Sequence, residues 1–409
     1  MSTVKRVVLA YSGGLDTSIA IPWIKEHYDG AEVIAYCGDV GQGDDLAAVE
    51  KKALATGASE CVVEDLRDTF IRDYAFAALS AGAIYEDHYL LGTALARPLL
   101  AYRQVQVALE KGADALAHGG TGKGNDQVRF EVTYARFGPQ LRVIAPWREW
   151  DIRSREDALA YAKAHGVSVE QSKKDIYSRD GNLWHLSHEG GDLEDPWNAP
   201  RESMFKLTVD PAEAPDTPEE VTIAFESGRP VALDGKKLGP VELVESLNRR
   251  AGAHGVGRLD LLENRLVGMK SRGVYETPAG TVLHVAHREI ERLVLDRDTL
   301  HFKQSVSVRY AQLIYDGLWF SRLREALAAF VQDTEREVTG ECRVRLFKGQ
   351  SVAVGRRAAR SLYREDLATF GEGVDYDHRD AEGFIRLYSL PERVRALTDR
   401  DAGSSGSGR

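Results

Sequence analysis

Residues 7–18, VVLAYSGGLDTS, run from an apolar segment into two adjacent glycines and then place a carboxylate and two hydroxyls within three residues. Backbone that packs around a large anion needs residues without bulk and many free N–H donors. The preceding KRVVLAY reads as a buried strand, and TSIAIPWIKEHY, with Ile19, Trp23 and Ile24 on one side, reads as a helix capped by Asp16 or Thr17. Pro22 is expected to kink or delay that helix, because a proline past the first turn deletes a backbone bond. The loop therefore sits at a strand-to-helix junction, where unpaired amides and the helix dipole favour phosphate.

Outward from this loop, short apolar runs alternate with longer amphipathic ones. AEVIAYC, ECVVEDL, ADALAH and LRVIAPW are further strand candidates, and the segments between them look helical. That rhythm predicts an α/β fold, a doubly wound parallel-sheet nucleotide-binding domain over residues 1–170. Past residue 170 the pattern changes. An Asp234-Gly235 turn within VTIAFESGRPVALDGKKL predicts a hairpin, helical stretches follow, and CRVRLFKGQSVAVGRR reads as another hairpin. Residues 171–370 are thus expected to form a second, α+β domain. Residues 371–402 read as an arm with a helix too isolated to bury its own apolar face, suited to packing on another subunit, and 403–409 as a flexible tail.

Composition narrows the function. At 409 residues, two domains are the default. A formal charge of −10 argues against general affinity for nucleic acid while allowing a local nucleotide pocket. There is no signal-peptide pattern and no apolar stretch long enough to span a bilayer, so no membrane partner is expected. Cys37, Cys61 and Cys342 form no CxxC pair, which fits a reducing cytoplasmic setting and argues against zinc.

Two further regions carry chemistry. In AHGGTGKGNDQVRFE, residues 117–131, four glycines leave amides open at the end of a strand, and Asn125 or Asp126 begins a helix with Arg129 one turn on. Such a cluster suits an amino acid, with its carboxylate on Arg129 and its ammonium on Asp126; Lys123 most simply meets phosphate. Residues 177–200 and 261–280 are dense in Gly, Asp, Asn and Trp without periodicity and read as structured loops of the functional kind. His185 and His188 lie three apart with no identifiable third ligand, so no protein-bound metal is expected.

The first loop is not a Walker motif, since no Gly-Lys-Ser/Thr follows. It resembles the SGGxDS-like loop of N-type ATP pyrophosphatases, which split ATP between the α and β phosphates. LAYSGGLDTS, AHGGTGKGNDQVRFE, VIAPWREW, EGGDLEDPW, HGVGRLDLLENRLVGMKSRGVYETPAG and SLYREDL together resemble the argininosuccinate synthase family, over nearly the whole chain. The resemblance implies ATP-dependent ligation of citrulline and aspartate through citrullyl-AMP, releasing AMP and pyrophosphate, in arginine biosynthesis or the urea cycle. It implies Mg²⁺ with ATP and a homotetramer embraced by C-terminal helices. It implies ATP on Ala10, Tyr11, Ser12, Gly13, Gly14, Leu15, Asp16, Thr17 and Ser18, with Gly38 and Gly119 near the adenosine. Aspartate falls to Thr121, Asn125 and Asp126, and citrulline to Tyr89, Asn125, Arg129, Ser178, Ser187, Glu263 and Tyr275. Asp16, Asp126 and Arg129 are the expected catalytic group. One departure stands out: the family commonly has a serine where this chain has Ala94, a position at which a hydroxyl helps hold citrulline. A tRNA sulfurtransferase of the same loop family would need a basic RNA face and cysteine chemistry, and a noncatalytic adenine-nucleotide sensor would lose the amino-acid sites.

Overall fold

The computed structural model describes residues 4–168, 176–369 and 377–406. The chain divides into two compact units, Met1–Arg360 and Ser361–Arg409. The domain boundaries expected at 170/171 and 370/371 fall outside the described residues, as do residues 407–409 of the expected tail.

In the first unit, β1 (Arg6–Ala10), β2 (Glu32–Asp39), β3 (Glu60–Asp65), β4 (Ala115–Ala117) and β5 (Arg142–Ile144) pair in parallel in the order β3-β2-β1-β4-β5. Each expected apolar run supplies one strand. Side-chain alternation sends Val7 and Leu9 of β1 to one face, against Ile21, Trp23 and Ile24 of helix Leu15–His27. Val8 goes to the other face, against Val105 and Tyr134 of helices Gly92–Glu110 and Asp126–Phe137. Burial on both faces is why these strands read as continuous apolar runs. The chain reverses its direction of winding between β1 and β4, and a crevice opens there beyond the strands' carboxyl ends.

Helix Leu15–His27 departs from expectation twice. Its N-cap is Gly14 with no side-chain cap, so Asp16 and Thr17 lie inside the first turn and leave its amides unspent. Pro22 neither delays nor ends the helix. Its missing N–H costs one backbone bond, and complete burial of Ile19, Ile21 and Ile24 offsets that loss.

The remaining strands are β6 (Ser178–Gly181), β7 (Leu186–Glu189), β8 (Glu219–Glu226), β9 (Arg229–Leu233), β10 (Lys236–Lys237), β11 (Arg258–Asn264), β12 (Lys270–Glu276), β13 (Gly340–Phe347) and β14 (Gln350–Arg357). They make two antiparallel sheets, β10-β9-β8-β13-β14 and β11-β12-β7-β6. The first contains both expected hairpins; Asp234, at φ 50°, turns β9 into β10. The second corrects the loop reading of residues 177–200 and 261–280, because β6, β7, β12 and most of β11 fall within those stretches. Helix Arg297–Tyr315 was not anticipated either. No helix among the described residues is long and apolar enough to cross a membrane.

The second unit carries helices Asp380–Tyr388 and Leu390–Gly406. The latter takes in positions 403–406, read above as tail, since extending a helix by a turn costs far less than nucleating one. Phe384, Ile385, Leu387, Tyr388 and Val394 are exposed.

The small sheet is pinned from behind by Glu276, which is wholly buried. Its carboxylate pairs with His188 Nε2 at 2.9 Å and accepts the Leu207 and Thr208 amides and the Thr208 hydroxyl, each at 2.8 Å. Glu276→Ala leaves these donors buried without an acceptor and should cost about 3–5 kcal/mol. A clear fall in the thermal unfolding midpoint checks this, with Glu276→Gln lying between the alanine variant and the parent.

Candidate active site

A cavity of about 780 Å³ opens at the β1/β4 crevice. The loop after β1 forms one wall. Of residues 10–18 all but Gly13 and Ser18 line it, and those two brace the loop from behind. Gly13 sits at φ +75°, a conformation that favours glycine. Ser18 is buried with its hydroxyl 3.1 Å from that of Tyr11. The amides of Leu15, Asp16 and Thr17 face no intrahelical acceptor. Burial raises the Asp16 carboxyl despite nearby Arg155, and no protein hydrogen bond among the described residues engages it. Gly38 and Gly119 line the cavity too.

The opposite wall is one face of the small sheet. Ser187 pairs with Tyr275 and Asp180, and Ser178 with Glu189. Directly paired residues share a face, as do residues two apart. Ser178, Asp180, Ser187, Glu189, Glu263 and Tyr275 therefore all point the same way, and all line the cavity. Their common face is polar by design of the site, and Glu263 is nearly buried at 5 % exposure. Glu263 Oε1 accepts the Tyr275 hydroxyl at 2.7 Å; Oε2 is buried and makes no hydrogen bond among the described residues, although the Tyr315 hydroxyl, also buried and unbonded, faces the same carboxylate. A buried carboxylate oxygen without a donor is costly unless a ligand supplies one.

Between the walls lies Asp126, at the start of helix Asp126–Phe137 with Asn125 as N-cap. Its two oxygens accept from Arg97 Nε at 2.9 Å and Arg129 Nη1 at 3.0 Å. Burial would raise this carboxyl, but the two guanidiniums outweigh it and hold it below its ordinary value. Arg97 also reaches Asp180 of β6 at 2.9 Å, and Arg129 Nε donates to the Tyr315 carbonyl at 3.0 Å. Thr121, Asn125 and Tyr89 complete this part of the lining.

Every residue assigned above to aspartate or citrulline thus lines one cavity. Lys123, expected to meet phosphate, is exposed and outside the wall. Sequence reasoning missed Arg97, Asp180, Glu189 and Arg265, all of which line it, as does Thr93. The available signal was Arg97, a charge four residues after Thr93 in an otherwise apolar helical turn. Gly92 lets that helix approach: a Cβ there would lie 2.3 Å from the His185 ring. Thr93 donates to Asp180 at 2.7 Å and lies 3.0 Å from His185 Nε2. Burial pushes the His185 imidazole down to about 4, so it is neutral at pH 7. Ala94 faces the core with no exposure and does not line the cavity; the hydroxyl presented from this turn is that of Thr93.

His185 and His188 diverge, the latter pairing with Glu276. A different trio, His287, Glu291 and Glu335, has ligand atoms close enough for a metal. The Lys303 ammonium already bonds both carboxylates, so that cluster holds its own cation.

The arginosuccinate synthase N-terminal HUP domain model matches residues 6–168, and the C-terminal domain model matches 177–395. The argininosuccinate synthase of Roseiflexus sp. (strain RS-1) is 62% identical over 97% of this chain and 97% of its own. Those of Roseiflexus castenholzii and Carboxydothermus hydrogenoformans are 60% and 58% identical, each over 97% of this chain and over 99% and 98% of their own. The solved U34-tRNA thiolase NcsA from Methanococcus maripaludis is similar over 42% of this chain and 60% of its own, at 14% identity and a TM-score of 0.28, too slight a likeness to bear on fold or function.

Removing Arg97 tests the electrostatics. Arg97→Leu leaves Asp126 and Asp180 short of a cation and should destabilise the protein by about 1–3 kcal/mol at pH 7, the penalty being reduced because both carboxylates keep about a third of their exposure. A carboxyl whose folded pKa is depressed stabilises above its unfolded value, and that stability is lost as pH falls. The deficit of Arg97→Leu relative to the parent should therefore shrink below about pH 4, as the Asp126 carboxyl protonates and no longer needs the arginine. Thermal midpoints of both proteins across pH 3–8 check the sign.

Proposed function

Because the chain belongs to the argininosuccinate synthase family, and so joins citrulline to aspartate in arginine biosynthesis with ATP as energy source, we propose that the cavity receives all three substrates on separate walls. In the reaction the citrulline ureido oxygen bonds to the α-phosphorus of ATP, and pyrophosphate leaves with the electron pair of the broken P–O bond. The aspartate amine then attacks the ureido carbon of citrullyl-AMP, loses a proton, and AMP departs. Family membership disfavours the tRNA sulfurtransferase and sensor readings.

ATP is assigned to the loop after β1, with Gly38 and Gly119 near its adenosine. The unspent amides of the first helical turn are oriented donors for phosphate and stabilise charge developing on the leaving group. Mg²⁺ is proposed to accompany ATP. Asp16, a carboxylate without a protein donor, fits a hard cation that binds one or two carboxylates together with substrate phosphates. The ion would supply charge neutralisation on the pyrophosphate.

Citrulline is assigned to Tyr89, Asn125, Arg129, Ser178, Ser187, Glu263 and Tyr275. The observation that carries this is Glu263 Oε2, a buried acceptor that makes no hydrogen bond among the described residues even with the Tyr315 hydroxyl nearby, and which suits the N–H groups of a ureido or ammonium ligand. Aspartate is assigned to Thr121, Asn125 and Asp126. With one arginine contact on each oxygen, Asp126 keeps lone pairs for an ammonium. Its contribution, with that of Arg129, is proximity of amine to adenylate.

We place the enzyme in the cytoplasm, in keeping with three free cysteines, and propose a homotetramer in which the exposed apolar side chains of Asp380–Tyr388 and Leu390–Gly406 pack on neighbouring copies.

Glu263→Gln keeps the shape and removes the charge. It should raise the citrulline KM by about 10-fold or more, the worth of one charge-assisted hydrogen bond, with the ATP KM within about twofold of the parent. Steady-state kinetics with each substrate varied in turn decide it; an unchanged citrulline KM rejects the assignment. Deleting residues 379–409 should shift sedimentation from tetramer to smaller species, and a truncated protein that still sediments as a tetramer rejects the arm's role.

A further inference from the structure

A second groove, of about 730 Å³, opens against helix Gly92–Glu110. Thr93, Arg97 and Leu100 of that helix, spaced one turn apart, line the substrate cavity, whereas Leu99, Tyr102 and Arg103 line the groove. The helix therefore stands between two separate spaces. Three carboxylates border the groove, and each is already paired. Glu64 accepts from Arg103 at 2.6 Å and from the Tyr36 hydroxyl at 2.9 Å, and Asp65 and Asp73 each meet an arginine, Arg67 and Arg72, at 2.7 Å.

The groove's other arginine, Arg324, pairs with no carboxylate among the described residues. Its Nε donates to the Trp319 carbonyl at 2.6 Å, and its guanidinium lies over the Trp319 ring, 4.6 Å from the centroid. The Tyr310 hydroxyl faces the same guanidinium. Tyr74 stacks on Trp319 with ring centroids 4.5 Å apart and is only 6% exposed. Its hydroxyl lines the groove and makes no hydrogen bond among the described residues. Burial raises that phenol, so it keeps its proton to donate. A fixed guanidinium without a counter-ion, beside a buried hydroxyl without a partner, is an arrangement that a bound oxyanion completes.

We infer that this groove is a second ligand site, for a small molecule that carries an oxyanion on a planar or apolar body, with its carboxylate or phosphate on Arg324 and the Tyr74 hydroxyl and its body against Leu99 and Tyr102. A cationic ligand finds no vacancy, because every groove carboxylate already has its arginine. The Trp319 carbonyl and ring hold the Arg324 fork in place, so little affinity is lost to ordering it. The site does not depend on where ATP, citrulline and aspartate sit.

Titration calorimetry of the full chain with benzoate and phenyl phosphate, one ring under two anionic heads, tests this, with benzylamine as the cationic control. At least one anion should bind saturably at millimolar concentration, and benzylamine should not. Tighter binding of benzoate names carboxylates as the ligand class, and tighter binding of phenyl phosphate names phosphates. Arg324→Gln should weaken the better anion by about tenfold or more, the worth of one charge-assisted hydrogen bond, and Tyr74→Phe by about threefold. Both variants should keep kcat and all three substrate KM values within about twofold of the parent, since neither residue lines the substrate cavity. Tyr74→Phe removes a hydroxyl that bonds nothing in the protein, so its thermal midpoint should match the parent's, and it decides the matter if Arg324→Gln does not fold. Binding that survives both substitutions lies elsewhere and overturns the inference, as does failure of both anions to bind or equal binding of benzylamine.

Discussion

The carboxylate of Asp126, shared between Arg97 and Arg129, is the constraint on which the rest of the site depends. Through Arg97 it ties the helix Gly92–Glu110 to β6, and through Arg129 it ties the helix Asp126–Phe137 to the end of helix Arg297–Tyr315. Arg97 and Arg129, at 17% and 5% side-chain exposure, are tolerable there because each guanidinium meets a carboxylate, and neither arginine can shed its charge. The position of the parallel sheet's helices against the small antiparallel sheet is thereby set by ion pairing, and the cavity is the space that this pairing leaves. The same turn stores some strain. Leu91, buried and branched, sits at φ 67° just before Gly92, a conformation costing about 1 kcal/mol or more that surrounding contacts must impose. Trp184 donates to the Leu90 carbonyl and Asn182 to that of Gly92, fixing the entry from which Thr93 and Arg97 are aimed.

How much of this was legible follows from which faces are dry. The parallel sheet is covered on both sides, so its strands show as Val-, Ile- and Ala-rich runs and were read correctly. The small sheet is different: its front face carries Ser178, Asp180, Ser187, Glu189, Glu263 and Tyr275, and its back face carries Arg179, His188 and Glu276. With polar residues on both faces, the period-two signal that identifies a strand is erased, and β6, β7 and β12 read as loop. The individual residues were reachable by resemblance to a family. Arg97, Asp180, Glu189 and Arg265 were not, because their significance lies in whom they meet, and partners 29 to 142 positions apart leave no local trace.

Helix Arg297–Tyr315 shows the same limit in another form. It exposes Phe302 and Val308 at 60% and 57% and buries Lys303 to 2%, an inversion of the usual amphipathic pattern. Glu291 and Glu335 make that burial possible by meeting the ammonium, with the Ser80 carbonyl 2.7 Å away as a third acceptor. Ala94 was legible only as a departure. Its methyl is fully buried and lines no part of the cavity, and Thr93, one residue earlier, presents the hydroxyl of this turn.

A protein with net charge −10 must still hold a nucleotide polyanion, and the way it does so follows from the distribution of its cations. Residues 10–18 contain no Lys or Arg; the donors they expose are backbone amides at a helix N-terminus, oriented and without mobile charge, as suits the phosphates proposed there. The arginines of the cavity are spent elsewhere, Arg97 and Arg129 on Asp126, Arg265 on Glu189 and Arg179 on His188. Against that background the cavity carboxylates that no described residue hydrogen-bonds stand out: Asp16 beside the loop, Asp44, and Glu263 Oε2 on the sheet. They lie where the proposed chemistry brings positive charge or N–H groups, a cation with the phosphates and a ureido or ammonium group against the sheet. Unpaired acceptors in a fold that otherwise pairs its buried charges are the strongest physical sign that the cavity is built for ligands that complete it.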